Sequence, residues 1–266
     1  MKNILLYTDT PQTGGAELQM FLLAKFLDKK LYTPILACSN YKPLDRWCEN
    51  FEKEGIKVIR LNVKHKHDPR HHFQLKQIIK NEKIDLAHLH LWNPASCRFA
   101  FSAATSCKTP IITTEHDPFA LSFLKDLLKK QDLKNVGQII TVSANNQKIV
   151  QQLYPEHKAR ITTIHNGLDT TWWQSQLLRF TDEDRRRIKK ELFQTQENTL
   201  VIISIAELNE RKGLKYLIEA IPEVAEKFPN IKLVIVGEGE ERKNLENLIK
   251  NLRSKDGKTD FSKHVI

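Results

Sequence analysis

Gly14 and Gly15 follow an apolar run at 4–8 and precede an amphipathic stretch at 16–27. A strand, a paired-glycine turn and a helix start together make an anion site. Glycine lets backbone N–H groups come close to a phosphate, and the helix start adds partial positive charge. The same turn also serves tight packing without any ligand, and the stretch alone leaves both readings open. His88 and His90 alternate within another apolar run, while Glu115-His116-Asp117 and His165-Asn166-Gly167 each follow one. Lys212 before Gly213 offers a cation, and Gly237-Glu238-Gly239 offers a second glycine turn. His65, His67, Asp68, His71 and His72 are metal-capable, but their segment reads as a polar loop before a helix, and no metal is expected.

These residues need a scaffold, and the apolar periodicity supplies one. Strand-like runs fall at 4–8, 32–38, 57–61, 84–90, 110–114, 138–142 and 160–164, with helical stretches between them, among them 44–53, 73–81 and 94–106. That alternation predicts right-handed βαβ units in a mostly parallel sheet, an α/β doubly wound domain over 1–170. Residues 171–198 read as a linker with a charged helix at 183–191, and Trp172-Trp173 as packing at a domain junction. A second series then runs over 199–266: strands at 200–205 and 231–236, helices at 213–228 and 240–252, a polar loop at 254–262, and a strand opening at His264. Two strands and the start of a third are few for a doubly wound domain, so the second domain is expected to be cut short. In open α/β sheets ligands bind beyond the carboxyl ends of the strands, and the glycine turns, His88, His90, His116 and Lys212 all fall there.

Forty per cent apolar and 28% charged residues place the chain among ordinary globular proteins. No run is long enough to span a bilayer, and the N-terminus lacks a signal peptide's apolar core. Cys38, Cys48, Cys97 and Cys107 have no metal-type spacing and read as thiols in a reducing compartment. The expected location is the cytoplasm, with peripheral contact at the inner membrane face as the open extension. Of the net charge of +10, residues 1–170 hold +8, which suits an anionic partner or a solubilising surface. The segment 121–134 is apolar and basic at helical spacing. Its preferred reading is a core-facing helix with a solvated edge, and its alternative is a helix resting on anionic membrane. Nucleic-acid binding has only the charge in its favour. The absence of a Gly-x-Gly-x-x-Gly turn disfavours a dehydrogenase, and that of a Gly-x-x-x-x-Gly-Lys-Ser/Thr loop disfavours a P-loop NTPase.

Taken in order, Pro11-x-x-Gly-Gly-x-Glu17, His88-x-His90, Thr114-Glu-His116, His165-Asn-Gly-Leu-Asp169, Lys212-Gly213 and Val234-Ile-Val-Gly-Glu-Gly239 resemble family-4 retaining glycosyltransferases. The resemblance covers nearly the whole chain. It implies the GT-B fold: two Rossmann-like domains, the first on the acceptor side and the second, here incomplete, holding a nucleotide diphosphate sugar. It implies a co-substrate rather than a cofactor, and an acceptor that is a glycan or lipid-linked, in cell-surface polysaccharide or glycolipid synthesis. By the same resemblance Gly14 and Gly15 face the donor diphosphate, and His116 meets the donor sugar near the reacting carbon. Lys212 neutralises the donor phosphates, and Gly237 and Gly239 lie near the nucleotide. The bland reading of His116 is a histidine bonded to loop backbone; that of Lys212 is a solvated lysine.

Two departures stand out. Where the family has an arginine shortly before the lysine, this chain has Ala206-Glu207-Leu208, and Arg211 is the candidate compensating cation. The family's pair of spaced acidic residues would fall beyond Ile266. The competing expectation is therefore a truncated, non-catalytic remnant or an acceptor-binding module.

Overall fold

Residues 4–7, Ile-Leu-Leu-Tyr, are buried on both sides, as a central parallel strand requires, and successive side chains sort to opposite faces. In the computed structural model of the chain the described residues are 1–193, 195, 198–253 and 259–266. They form two compact units, Met1–Asp169 and Thr170–Ile266.

The first unit alternates strand and helix throughout: β1 (Lys2–Tyr7), α1 (Gly15–Phe26), β2 (Tyr32–Ser39), α2 (Asp45–Lys53), β3 (Lys57–Leu61), α3 (Arg70–Asn81), β4 (Leu86–Leu91), α4 (Arg98–Ser106), β5 (Ile111–Glu115), α5 (Phe123–Leu133), β6 (Val136–Thr141), α6 (Ala144–Leu153) and β7 (Ile161–Thr163). All seven strands are parallel, in the order β3-β2-β1-β4-β5-β6-β7. Ile4 and Leu6 face α1 and α2 through Met20, Ala24, Trp47 and Phe51. Leu5 and Tyr7 face the other way, into a core completed by α3 to α6 with Leu75, Phe101, Leu133 and Val150. The strand order reverses between β1 and β4, and at that point the loops leaving the carboxyl ends part to leave a crevice.

Three sequence expectations change here. The helix expected from 94 begins only at Arg98. Cys97 sits in the left-handed region with φ 61°, its N–H held by the Asp9 carboxylate at 2.8 Å, so the preceding residues form a turn. The loop expected at His71 is the first turn of α3. His71 is fully buried, bonded to the Tyr7 hydroxyl at 2.8 Å and stacked on Phe99. The third change is the largest. The helix at 121–134 does not turn its apolar side to the core: Phe123 is 81% exposed and Leu124 70%, while Lys129 and Leu133 are buried. The cause is electrostatic. Glu115, at the end of β5, is buried and takes the Lys129 ammonium at 2.5 Å, so the helix presents its lysine inward.

In the second unit α7 (Thr170–Leu177) occupies what reads as linker, and α8 (Asp182–Phe193) extends the expected charged helix. Trp172 and Trp173 are each about half exposed and meet edge to face at 4.9 Å. β8 (Leu200–Ile205) pairs in parallel with β9 (Ile231–Val236). The single helix expected at 213–228 is two, α9 (Leu214–Glu219) and α10 (Ile221–Lys227), because Pro222 has no N–H to continue the ladder. After α11 (Arg242–Lys250), part of the expected polar loop, 254–258, lies outside the described residues, as do 194, 196 and 197 of the linker. His264 closes a 3-10 turn, Ser262–His264, rather than opening a strand; the pairing beside β9 starts one residue later, where Val265 bridges to Leu233 and Ile235 N–H donates to the Ile266 carbonyl at 2.8 Å.

Candidate active site

The turn between β1 and α1 is built around a buried carboxylate. Glu17 is 3% exposed and accepts the Gly14 N–H at 2.8 Å, closing a capping box at the start of α1. That bond occupies one of the two glycine N–H groups offered to an anion. The N–H groups of Gly15 and Ala16 remain as first-turn donors without a partner among the described residues. A Cβ on Gly15 would meet nothing within 4 Å and its φ is not positive, so the fold itself makes no demand for glycine there.

His88, His90 and His116 form one cluster on the α1 face of the sheet. Their rings follow one another at centroid distances of 4.2 and 5.6 Å. His88 Nε2 meets the Thr114 hydroxyl at 2.8 Å, and His90 Nδ1 meets His116 Nε2 at 3.3 Å. Burial, reinforced by the neighbouring imidazoles, pushes His88 down to about 3 and His90 well below its usual range; burial alone takes His116 down to about 4. At neutral pH the trio is uncharged, so each ring offers hydrogen-bonding nitrogens rather than a positive charge. The rings line a cavity of about 300 Å³ closed by Leu23 and Phe26 of α1 and by the turn at 164–168. Gln19 fixes that turn with two bonds to Gly167, at 2.8 and 2.9 Å, and Lys25 pairs with Asp169 at 3.3 Å. Gly14 does not line this cavity. It borders a separate groove with Arg46 and Trp47 of α2.

The histidine cluster makes stability depend on pH in a definite direction. Each folded-state value lies below the unfolded one, so the unfolded chain binds more protons as pH falls. Stability is complete above about 6.5 and is lost progressively toward 4 and 3. The raised carboxyl of Asp132, near 6, acts in the opposite sense over part of that range, so a difference isolates the imidazole. Between pH 7.5 and 5, wild type should lose about 2 kcal/mol more than His116→Asn, read from urea midpoints. Equal losses in the two proteins would contradict the neutral assignment.

In the second unit Lys212 ends a short 3-10 turn, Glu210–Lys212, and Gly213 follows at φ 65° before α9. Lys212 is exposed and in no ion pair among the described residues; Arg211 beside it is also exposed. Glu207 accepts the Asn209 side-chain amide at 2.9 Å. Gly237 and Gly239 have a structural reason of their own. A Cβ at Gly237 would lie 1.9 Å from the Ala206 carbonyl oxygen, and one at Gly239 2.3 Å from that of Leu208. The two loops are laced by Leu208 N–H to Glu238 carbonyl at 2.9 Å.

Sequence reasoning does not single out Gln19, Thr114 or Arg46 as site residues. Thr114 enters only as part of a motif, and Gln19 is an ordinary polar position of an amphipathic helix, so neither carries a signal of its contact.

A seven-stranded parallel doubly wound unit followed by a second parallel α/β unit, with glycine turns at carboxyl strand ends in both, defines the GT-B class. Similarity to known proteins agrees. The family model described as Glycosyltransferase Family 4 matches residues 13–172, and that of Glycosyl transferases group 1 matches 184–262. The chain belongs to glycosyltransferase family 4. It is 21% identical over 246 residues to the spore coat protein SA of Bacillus subtilis. It is 25% identical over 262 residues to one subunit of the human phosphatidylinositol N-acetylglucosaminyltransferase. Those alignments take in 89% and 92% of this chain but only 61% and 50% of the relatives' lengths. Among solved structures, a glycosyltransferase from Rickettsia africae superposes with TM-score 0.74 at 19% identity, over 98% of this chain and 70% of that one. Anabaena HepE in complex with UDP does so at 0.72 and 18%, over 99% and 71%.

Proposed function

We propose that the chain transfers a sugar, with retention at the anomeric carbon, from a nucleotide diphosphate sugar to a hydroxyl of a glycan or lipid-linked acceptor. The observation that carries this reading is the pair of family matches, in order, over both compact units. The UDP held by a structural neighbour supports the donor class, and the phosphatidylinositol in the human relative's name supports the acceptor class. In this reading the Gly14-Gly15 turn meets the donor phosphates through Gly15 and Ala16 N–H groups. Neutral His116 bonds the donor sugar, and Lys212, aided by Arg211, stabilises charge on the departing diphosphate. Gly237 and Gly239 keep the nucleotide loop thin. No metal or cofactor enters the scheme. A thermal-shift series with UDP-, GDP- and ADP-sugars on the full-length protein tests it. A ligand at 100 times its Kd should add about 2.7 kcal/mol, and no shift with any of them would sink the proposal.

The proposal places the enzyme in the cytoplasm, peripheral at the inner face of an anionic membrane. Among the described residues no helix is long and apolar enough to cross one. Support comes from α5, where Phe123, Leu124 and Leu127 are exposed and Lys125 and Lys134 lie on the same helix or at its end. Binding to phosphatidylglycerol vesicles should weaken about tenfold or more in Phe123→Asp/Leu127→Asp, measured by co-sedimentation. Unchanged binding would remove α5 from the contact.

A further inference from the structure

A second cavity, of about 320 Å³, lies at the switch point between β1 and β4. Asp9 reaches it from the turn after β1, Lys66 from the loop before α3, Arg98 from the start of α4, and Lys125, Lys129 and Asp132 from α5. Two of these charges are already committed. Asp9, 5% exposed, accepts Trp92 Nε1–H at 2.9 Å and the Cys97 N–H at 2.8 Å, and Lys129, 3% exposed, pairs with Glu115. Lys66, Arg98 and Lys125 have no ion-pair partner among the described residues, and Lys66 rests over the Trp92 ring at 5.0 Å. Asp132 is the one carboxyl left among them, and burial raises it to about 6. Three cations around one concavity repel each other, and an anion between them relieves that.

We infer that this cavity holds a phosphate monoester or diester carried by the acceptor, with Lys66, Arg98 and Lys125 as its ligands. Arginine gives such a group a planar two-pronged donor, and the lysines add compact charge. Asp9 and Asp132 lower the lining's positive charge, which favours a single phosphate over a polyphosphate. The assignment to the acceptor rests on the proposed transferase reading. α5 links the cavity to the outside: Leu128 lines it, and the next residues around the helix are the exposed Leu124 and Leu127. A phosphate on a lipid enters along that side, and one on a soluble acceptor enters from solution.

The test is calorimetric titration of the full chain with glycerol 3-phosphate, and binding to phosphatidylcholine vesicles containing phosphatidic acid. Saturable binding of glycerol 3-phosphate is expected. Arg98→Glu and Lys66→Glu should each weaken it about tenfold or more, while Lys148→Glu on α6 leaves it unchanged. Vesicles bound more tightly than glycerol 3-phosphate, with the same two variants losing the gain, would mark a lipid headgroup as the source. Equal affinities would mark a soluble phosphate ester. No saturable binding, or equal weakening by Lys148→Glu, would overturn the site. Displacement by UDP would assign it to the donor and overturn it too. UDP binding measured alone separates the two readings: its absence defeats the transferase proposal while leaving a phosphate site standing or falling on its own data.

Discussion

Lys212→Ala is expected to lower turnover of the sugar donor about 100- to 1,000-fold, the range for losing one preorganised group at a developing charge. The departing diphosphate gains negative charge as the glycosidic bond breaks, and in the proposed scheme Lys212 is its main protein cation. The surroundings sharpen the expectation. By the family resemblance Glu207 stands where an arginine is expected, which leaves Lys212 and the neighbouring Arg211 as the cations of the proposed scheme. Lys212 is also exposed and makes no ion pair among the described residues, so its loss should move stability by less than about 0.5 kcal/mol. The measurement is kcat alongside thermal denaturation. Lys212→Arg should recover only part of the rate, because a broad guanidinium does not reproduce a compact ammonium. A turnover within about threefold of wild type in Lys212→Ala would remove the residue from the chemistry and leave it a solvated lysine.

The second large effect is on stability. Lys129→Met should cost about 3–5 kcal/mol, because it strands the Glu115 carboxylate at 2% exposure without its cation. Coulomb attraction at 2.5 Å is offset by the desolvation of both partners, so the pair as a whole adds little net stability. Lys129→Met/Glu115→Gln should therefore stand much nearer wild type than the single variant. Urea denaturation of the four proteins of the cycle measures this. If the double variant is as unstable as Lys129→Met, packing of the lysine stem beside Phe101, whose ring centroid is 5.7 Å from the ammonium, carries the effect instead.

Most of the fold is legible because parallel strands announce themselves. Seven apolar runs separated by helical stretches become seven parallel strands, and the run at 231–236 matches β9 to the residue. What fails has physical causes. The helix pattern at 121–134 carries leucines at core spacing, and periodicity cannot know that Glu115 lies buried nearby and draws a lysine inward. Pro222 breaks the second unit's helix, a signal present in the sequence but outweighed by the apolar periodicity around it. Within the site, His88, His90 and His116 are readable as residues at one sheet edge. Their chain of ring contacts is not, because it depends on the register of β4 against β5, which sets His90 beside Thr114. The cavity with Lys66, Arg98 and Lys125 leaves no trace in the sequence, since its cations come from three separate segments that only the topology brings together.

Sugar transfer from a nucleotide donor can be observed directly. The full-length protein is incubated with the nucleotide sugar that stabilises it most and a lipid extract, and nucleoside diphosphate release and the anomeric proton of the product are followed by NMR. Diphosphate release coupled to a product with the donor's anomeric configuration, and lost in His116→Ala and Lys212→Ala, is the predicted result. Release without transfer, inversion at the anomeric carbon, or no consumption of any nucleotide sugar would contradict it.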